Sequence, residues 1–335
     1  MGRAQTPHRL PILAVVLAPA LLAALAVAAF TWTSARLAPH GLPLAVAGPK
    51  AALAAEQRLA SNPGAFAVHY YTGEAQAVTA VRHREVYGAL VITPRGATLF
   101  TAPPASPLVA RLLTTSTPTG TRVVNVVSAD PQDPQGIAFG ASLLPLVLVG
   151  AVTGIIVLTT VRAGPRRVIA LLAAAALVGL VAMGITAGWL GILPGNWGIN
   201  AAVLALVVLA IAAGVAGLGA LLGYPGVALG ALLAVFVGNP FSGAPSAPEL
   251  LPVPAGVIGQ LLPPGAGQEL LRSTAFFSGY GYRGHLAVLL TWAVAGLAAA
   301  WAGRAFPPHR PAPGPGDSAV AQPTPADGQR STATV

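Results

Sequence analysis

The sequence lacks cysteine and is poor in charge. None of its 335 residues is Cys, and charged residues make up only 8% of the chain. Disulfide bridges, thiolate metal sites and cysteine nucleophiles are therefore excluded, and every part of the chain must be held together by packing. Soluble domains carry about 25% charged residues, so this chain cannot cover a globular surface with polar groups. With 55% hydrophobic residues, the composition predicts a membrane protein.

Common catalytic motifs are also missing. The sequence has no H-E-x-x-H or G-x-S-x-G pattern and no paired-carboxylate motif, and His69 and His83 have no carboxylate at a metal-ligand or triad spacing. The only lysine, Lys50, does not follow a glycine-rich P-loop, so the chain cannot hydrolyse ATP by that mechanism. We predict that the chain is not an enzyme and that it uses no cofactor and no metal.

Basic residues outnumber acidic residues, 18 to 9, for a formal net charge of +9. A nucleic-acid partner would need these charges concentrated on one face, whereas here the arginines are scattered along the chain. The predicted partner is the lipid membrane, and no nucleic acid is predicted.

Six stretches are candidate membrane spans, since a span needs about 20 mostly apolar residues to cross about 30 Å of hydrocarbon. They contain no Asp, Glu, Lys or Arg in their interiors, which argues against an ion-coupled transporter. The fifth is short. The first is interpreted as an uncleaved anchor because it is long, with a cleaved signal peptide as the alternative. The six are Leu10–Trp32, Ile137–Val161, Val168–Trp189, Ile199–Leu222, Tyr224–Val237 and His285–Trp301.

Arginine placement predicts the orientation, because positive residues in short loops stay in the cytoplasm. With the N-terminus inside, eight arginines fall on the cytoplasmic side, and the outer loop Leu190–Gly198 carries no charge. The sequence therefore predicts a multi-pass plasma-membrane protein with both termini cytoplasmic. The eight are Arg3, Arg9, Arg162, Arg166, Arg167, Arg304, Arg310 and Arg330.

Four regions follow from this reading. The predicted fold is a polytopic α-helical membrane protein of about six spans, with a small extracytoplasmic α/β domain inserted between spans 1 and 2. The regions are a cytoplasmic stub with the first anchor (1–36), the extracytoplasmic domain (37–136), a five-span membrane domain with a re-entrant-like loop at 239–283 (137–304), and a disordered cytoplasmic tail (305–335).

The predicted outer domain alternates short strands and helices, which indicates a small α/β sandwich that we expect to fold independently. Its charged cluster Arg82-His83-Arg84-Glu85 is interpreted as a solvated helix end, with an anion site as the alternative. The predicted strands are Leu42–Gly48, Phe66–Tyr71, Tyr87–Thr93, Thr98–Thr101 and Arg122–Ser128; the predicted helices are Pro49–Ala60, Glu74–Arg84 and one capped by Ser106 and Pro107.

The segment Gly238–Gly284 is too apolar and too rich in proline for a simple connector. Its prolines interrupt it too often for a continuous span, so we predict that Leu250–Gly279 folds back onto the mouth of the bundle. The alternative is a surface loop that lies in the headgroup region of the membrane. Glu269 and Arg272 lie three residues apart on a predicted helix, where they can pair or anchor this hairpin as a gate. The alternative is an ordinary solvated pair.

Three short motifs carry a resemblance to a known family. They are Leu44-Ala45-Val46-Ala47-Gly48-Pro49, then Arg84-Glu85-Val86-Tyr87-Gly88-Ala89-Leu90, and finally Leu262-Pro263-Pro264-Gly265-Ala266 with Leu271-Arg272-Ser273. Together with the layout over Leu10–Gly303, they resemble the ABC type 2 permease superfamily, most closely its phage-infection-protein-like branch and related membrane proteins of high-GC bacteria.

The resemblance implies export of a lipid-like or amphipathic small molecule by a homodimer driven by a separate ATPase subunit. Arg162, Arg166 and Arg167 would then lie in the cytoplasmic coupling loop, although this loop is very short for docking an ATPase. The alternative function is a non-transporting membrane receptor or scaffold that displays its outer domain.

Overall fold

The computed structural model describes residues 12–48 and 63–303. The predicted helix Pro49–Ala60 and the predicted disordered tail lie outside these residues. The described chain is mostly helical with one five-stranded sheet. Five of its helices are long and apolar enough to cross a membrane, so the chain is a membrane-embedded protein.

The helices and strands alternate up to residue 125, and only helices follow. The strands are β1 Leu42–Ala47, β2 Phe66–Tyr71, β3 Gly88–Thr93, β4 Gly96–Thr101 and β5 Arg122–Asn125. The helices are α1 Ile12–Ala35, α2 Glu74–Arg82, α3 Pro107–Ser116, α4 Ile137–Ala141, α5 Leu143–Thr160, α6 Pro165–Met183, α7 Trp197–Leu222, α8 Tyr224–Ala231, α9 Ala255–Gln260, α10 Pro263–Phe276 and α11 Tyr282–Ala302. Single π-helical segments continue α6 to Trp189 and α8 to Gly238.

The sheet has the strand order β2-β1-β3-β4-β5, and we call the described residues 37–48 and 63–136 the sheet domain. The β3–β4 hairpin is antiparallel, and every other neighbouring pair is parallel. Because side chains alternate between the two faces of a strand, Ala45 and Ala89 pack against α2 on one face, whereas Leu42 packs against Val109 of α3 on the other. The sheet domain therefore has two small cores, one on each side.

The predicted strands are confirmed with different ends in four of the five. β2 begins and ends as predicted, whereas β5 ends at Asn125 and β4 begins at Gly96, directly after the predicted turn. The Ser106 cap is also confirmed, because its hydroxyl accepts a hydrogen bond from the Val109 amide at 3.2 Å. The predicted end of α2 at Arg84 is wrong: the helix ends at Arg82 because Arg84 takes a left-handed conformation.

The helices from α4 to α11 form a bundle around α7, which contacts α5, α6, α8, α10 and α11. The apolar window of α7 is 72% buried within the protein, whereas that of α1 is 6% buried. A helix that is buried on all sides is apolar around its whole circumference, which is why α7 shows no polar stripe. Close approach depends on small residues: Gly217 of α7 lies against Gly296 of α11, with no room for a side chain on either.

The fifth predicted span is an eight-residue α-helix with a seven-residue π-helical continuation. It is too short to count among the five long apolar helices. The segment predicted to fold back contains two helices, α9 and α10, connected at Leu261-Leu262; that it re-enters the membrane stays a prediction. Most of α10 is buried against the bundle and the sheet domain.

Candidate functional site

A charged contact, which we call the junction, joins the sheet domain to the bundle. It joins the turn after α2, residues 83–87, to residues 269–285 of α10 and α11. The carboxylate of Glu269 accepts hydrogen bonds from the guanidinium groups of Arg84 and Arg272. Arg84 also donates to the Glu269 backbone carbonyl at 3.1 Å, and Arg272 donates to the Ala244 carbonyl at 3.1 Å. One carboxylate thus links two arginines that belong to different parts of the molecule.

This ion triad is buried. The side chains of Arg84, Glu269 and Arg272 are 10%, 4% and 2% exposed. Removing one partner from a buried ion pair leaves an uncompensated charge and costs about 3–5 kcal/mol, whereas exposed pairs contribute about 0–1 kcal/mol. The interpretation of Arg84 as part of a solvated helix end is therefore wrong, although Arg82 and Glu85 are exposed.

The backbone at Arg84 shows why this arginine reaches the bundle. The amide of Glu85 bonds back to the Ala80 carbonyl at 3.0 Å, and Arg84 between them has a φ of +60°. This is the left-handed C-terminal turn that glycine normally occupies. A side chain at such a position costs about 1–2 kcal/mol. Arginine occupies it here, and the turn aims its guanidinium away from α2 toward Glu269.

Electrostatics keep Glu269 ionised. Burial by itself raises the pKa of a carboxyl group. The guanidinium groups of Arg272 and Arg84 act in the opposite direction and outweigh burial, so the pKa of Glu269 lies below its ordinary value. The triad is therefore charged at neutral pH.

A second polar pair lies beside the triad. The Tyr87 hydroxyl donates to the Glu249 carboxylate at 2.7 Å. Burial and then the Glu249 charge raise the pKa of Tyr87 well above its ordinary value, so the phenol stays protonated. With Glu249 included, two carboxylates balance the two buried arginines.

Residues of the triad and of this pair border a cavity of about 210 Å³ between the sheet domain and the bundle. Within residues 12–48 and 63–303, no three histidine or carboxylate side chains converge in a way that could hold a metal ion. The chemistry that the cavity offers is ionic and hydrogen-bonding. Its polar lining consists of Arg84, Tyr87, Glu249, Gln260, Glu269 and His285.

Aromatic contacts surround the charges. The His83 and Tyr280 rings are stacked with centroids 3.9 Å apart, and the Arg84 guanidinium lies 5.2 Å from the centre of the Phe277 ring. Phe277 is 3% exposed and belongs to the core on the α2 side of the sheet. The sheet domain therefore completes its core with a residue of the bundle. That it folds independently stays a prediction, and we expect lower stability without Phe277.

The junction connects to the centre of the bundle through α10. Gly267 packs on Val207 of α7, and the Thr274 hydroxyl donates to the side chain of Asn200, also on α7, at 2.8 Å. The same helix thus carries Glu269 on the side of the sheet domain and contacts α7 on the side of the bundle.

The three arginines predicted for a coupling loop separate into two groups at the opposite end of the bundle. Arg162 and Arg166 are exposed, whereas Arg167 is fully buried. Arg167 donates to the carbonyls of Val161 at 3.1 Å and Ala300 at 3.1 Å, which lie at the ends of α5 and α11. A cation there stabilises the negative ends of helix dipoles. Arg167 is thus a clamp between helices, which leaves Arg162 and Arg166 for the predicted coupling surface.

Sequence reasoning found part of the junction. It singled out Glu269 and Arg272 and their pairing, and the structure brings these two residues together. It missed Tyr87, Glu249 and His285. Tyr87 lies in a motif that carried only the family resemblance, and Glu249 and His285 are isolated polar residues in segments without a motif.

The comparisons with known proteins add no relative: no family model, no curated protein and no solved structure matches the chain.

Proposed function

We propose that the chain is a permease-like integral membrane subunit. It would act in export of a lipid-like or amphipathic small molecule or in another cell-envelope process, with any ATPase supplied by a separate chain. The observation that carries the proposal is the buried triad, because it ties the sheet domain to α10, and α10 packs on the central helix α7. A domain that is only displayed for recognition needs no buried charged link to the membrane helices.

The course of the chain supports six crossings and two cytoplasmic termini. α7 ends near α11 at the end of the bundle that Arg167 clamps, where Ala220 lies against Gly303. α8 starts there, and its π-helical continuation ends with Gly238 against Pro264 of α10, beside the junction. This helix therefore runs between the two ends of the bundle although it is short. If the exposed Arg162 and Arg166 lie on the cytoplasmic side, as arginines in short loops usually do, the sheet domain would lie outside.

Labelling with an impermeant maleimide tests this orientation, since the chain has no cysteine of its own. A single Cys at Gly120 should react in intact cells, and a single Cys at Ala321 should react only after lysis. Equal labelling of the two positions would contradict the topology.

Copurification tests the function. The full chain, purified in mild detergent, should retain an ATPase in a fixed ratio, and Arg166→Glu together with Arg162→Glu should release it without changing the yield of the chain. Arg82→Glu, an exposed arginine on the sheet domain, is the matched control. Recovery without any ATPase would favour the receptor or scaffold, whereas a second copy in the purified complex would support the predicted homodimer.

A further inference from the structure

A deep apolar groove lies on the face of the sheet that carries α3. It encloses about 370 Å³, which falls within the range of about 300–1,000 Å³ that is usual for small-molecule sites. Strands β1 to β4 form its floor, α3 forms one wall, and the segment after α1 closes one end. Its lining residues include Leu37, Leu44, Val68, Leu90, Leu99 and Leu112.

The lining of the groove restricts what can bind there. Among the described residues that line it, none is charged, and Ser116 and Thr117 supply the only side-chain hydroxyl groups. Sites for polar ligands place several polar groups around an apolar pocket. A lining with so little polarity suits a hydrocarbon, which gains by leaving water and needs no hydrogen-bonding partner.

The groove also lies close to the end of α1, one of the five helices long and apolar enough to cross a membrane. α1 ends at Ala35, and the next residues, Leu37 to Pro39, line the groove. Leu37 and Leu112 are each 39% exposed, so apolar side chains lie at the rim of the groove. Leu250 of the bundle lies at the same end, and its carbonyl accepts from the Ala38 amide at 3.0 Å.

We propose that this groove binds one hydrocarbon chain of a lipid or lipid-like molecule, which enters from the membrane past Leu37. The inference deepens the proposed function and rests on it for the lipid-like substrate. The chain offers one other occupant, its own residues 49–62, which connect β1 to β2 and lie outside the described residues.

Photolabelling of the full-length chain in phosphatidylcholine vesicles tests the proposal. One arm uses a fatty acid with a diazirine near its methyl end, and the other uses a phosphatidylcholine with the same group in one acyl chain. Peptides that contain Leu90 and Leu99 should be labelled in at least one arm, and the arm identifies a free acid or a phospholipid as the source.

Filling the groove should remove the label. Leu112→Trp places a large ring at the exposed rim, where it disturbs folding least, and should lower groove labelling at least about fivefold. Leu90→Phe narrows the floor and should act in the same direction. The matched control is Val123→Trp on β5, which is 41% exposed and lies outside the groove; its labelling should equal that of the parent chain.

Three results would overturn the proposal. The first is label confined to the membrane helices, and the second is equal labelling of the Leu112→Trp and Val123→Trp variants. The third is an efficient disulfide between Leu112→Cys and Leu59→Cys in one chain with no groove labelling, which would show that the protein fills the groove itself. Groove labelling in a chain that copurifies with no ATPase would support the lipid site while contradicting the permease function.

Discussion

The sheet domain and the helical bundle place their polar residues differently. The sheet domain exposes charged residues such as Arg82, Glu85 and Arg122 and buries small apolar residues on both faces of one sheet. The bundle fully buries some of its polar residues, among them Arg167 and Asn200, and each of these two bonds to a backbone carbonyl. A surface charge has water as a partner in every conformation, whereas a buried one requires a single arrangement. The specific geometry of this molecule therefore depends on a small number of buried polar groups in the bundle and at the junction.

The largest effect is expected at the junction, where the two regions meet. Glu269→Gln leaves Arg84 and Arg272 without their shared carboxylate and should lower the free energy of unfolding by about 3–5 kcal/mol. Thermal unfolding in detergent, followed by tryptophan fluorescence, measures the change. Glu85→Gln is the control, because the Glu85 side chain is 57% exposed. An equal response of both variants would contradict a buried junction.

The carboxylate of Glu269 also leads us to expect that the protein loses stability at acidic pH. The pKa of Glu269 is lower in the folded protein than in the unfolded chain, so its stabilising contribution is complete above the unfolded value of about 4.3. This contribution is lost as the pH falls from the unfolded pKa of Glu269 through its lower pKa in the folded protein. A pH series should therefore show a steeper loss of stability below about pH 4.3 in the parent chain than in Glu269→Gln. Parallel curves would show that another group controls the acid transition.

The next largest effect on stability is expected from Arg167, the clamp at the end of the bundle opposite the junction. Arg167→Gln removes charged hydrogen bonds to the ends of α5 and α11 and should cost about 2–3 kcal/mol. The neighbouring variant Arg166→Gln should leave stability unchanged because Arg166 is exposed. Unfolding curves of the two variants distinguish an arginine that holds helices together from one that does not. If Arg166→Gln lost more stability than Arg167→Gln, Arg167 would not be a structural clamp and would again be a candidate for the predicted coupling loop.

Adding a side chain where two helices approach closely is expected to have a somewhat smaller effect on stability. A Cβ on Gly296 would overlap the backbone of Ala213, so Gly296→Ala should destabilise the contact between α7 and α11 by about 1–3 kcal/mol. Gly284→Ala lies on the same helix with open space around it. It should leave stability unchanged or raise it by about 0.5–1 kcal/mol, because alanine favours a helix more than glycine. Recovery of monodisperse protein after heating compares the two, and equal recovery would contradict the close approach.

The smallest effects on stability are expected at two helix caps, one in the sheet domain and one in the bundle. Ser106→Ala should cost about 1 kcal/mol, because the Val109 amide that it caps is buried. Asn196→Ala removes the cap of α7, where Asn196 accepts from the Ile199 amide at 3.0 Å. Asn196 is exposed, so water replaces the lost oxygen and the cost should be smaller. Denaturant unfolding of both variants measures the difference; a larger loss for Asn196→Ala would reverse the comparison.

Local features of the sequence were sufficient to predict much of the fold. Long apolar runs predicted the membrane helices, because a helix that crosses a bilayer needs length and apolar composition and no specific partner. Alternation of apolar residues predicted the strands, and Ser106 before Pro107 predicted a helix start. The prolines around Leu250–Gly279 predicted that this segment is not one continuous span. Each of these signals lies within a few residues of the structure that it determines.

Only the tertiary structure decided which charges meet. Arg84 and Glu269 are 185 residues apart in sequence, and the left-handed turn that directs Arg84 to Glu269 has no glycine to mark it. Arg166 and Arg167 are adjacent and chemically identical, yet one is exposed and the other is buried. The apolar groove likewise draws its lining from four strands, one helix and the segment after α1. Hydrophobic periodicity is a local property of the chain, whereas the partner of a buried charge and the shape of a cavity depend on how distant segments pack.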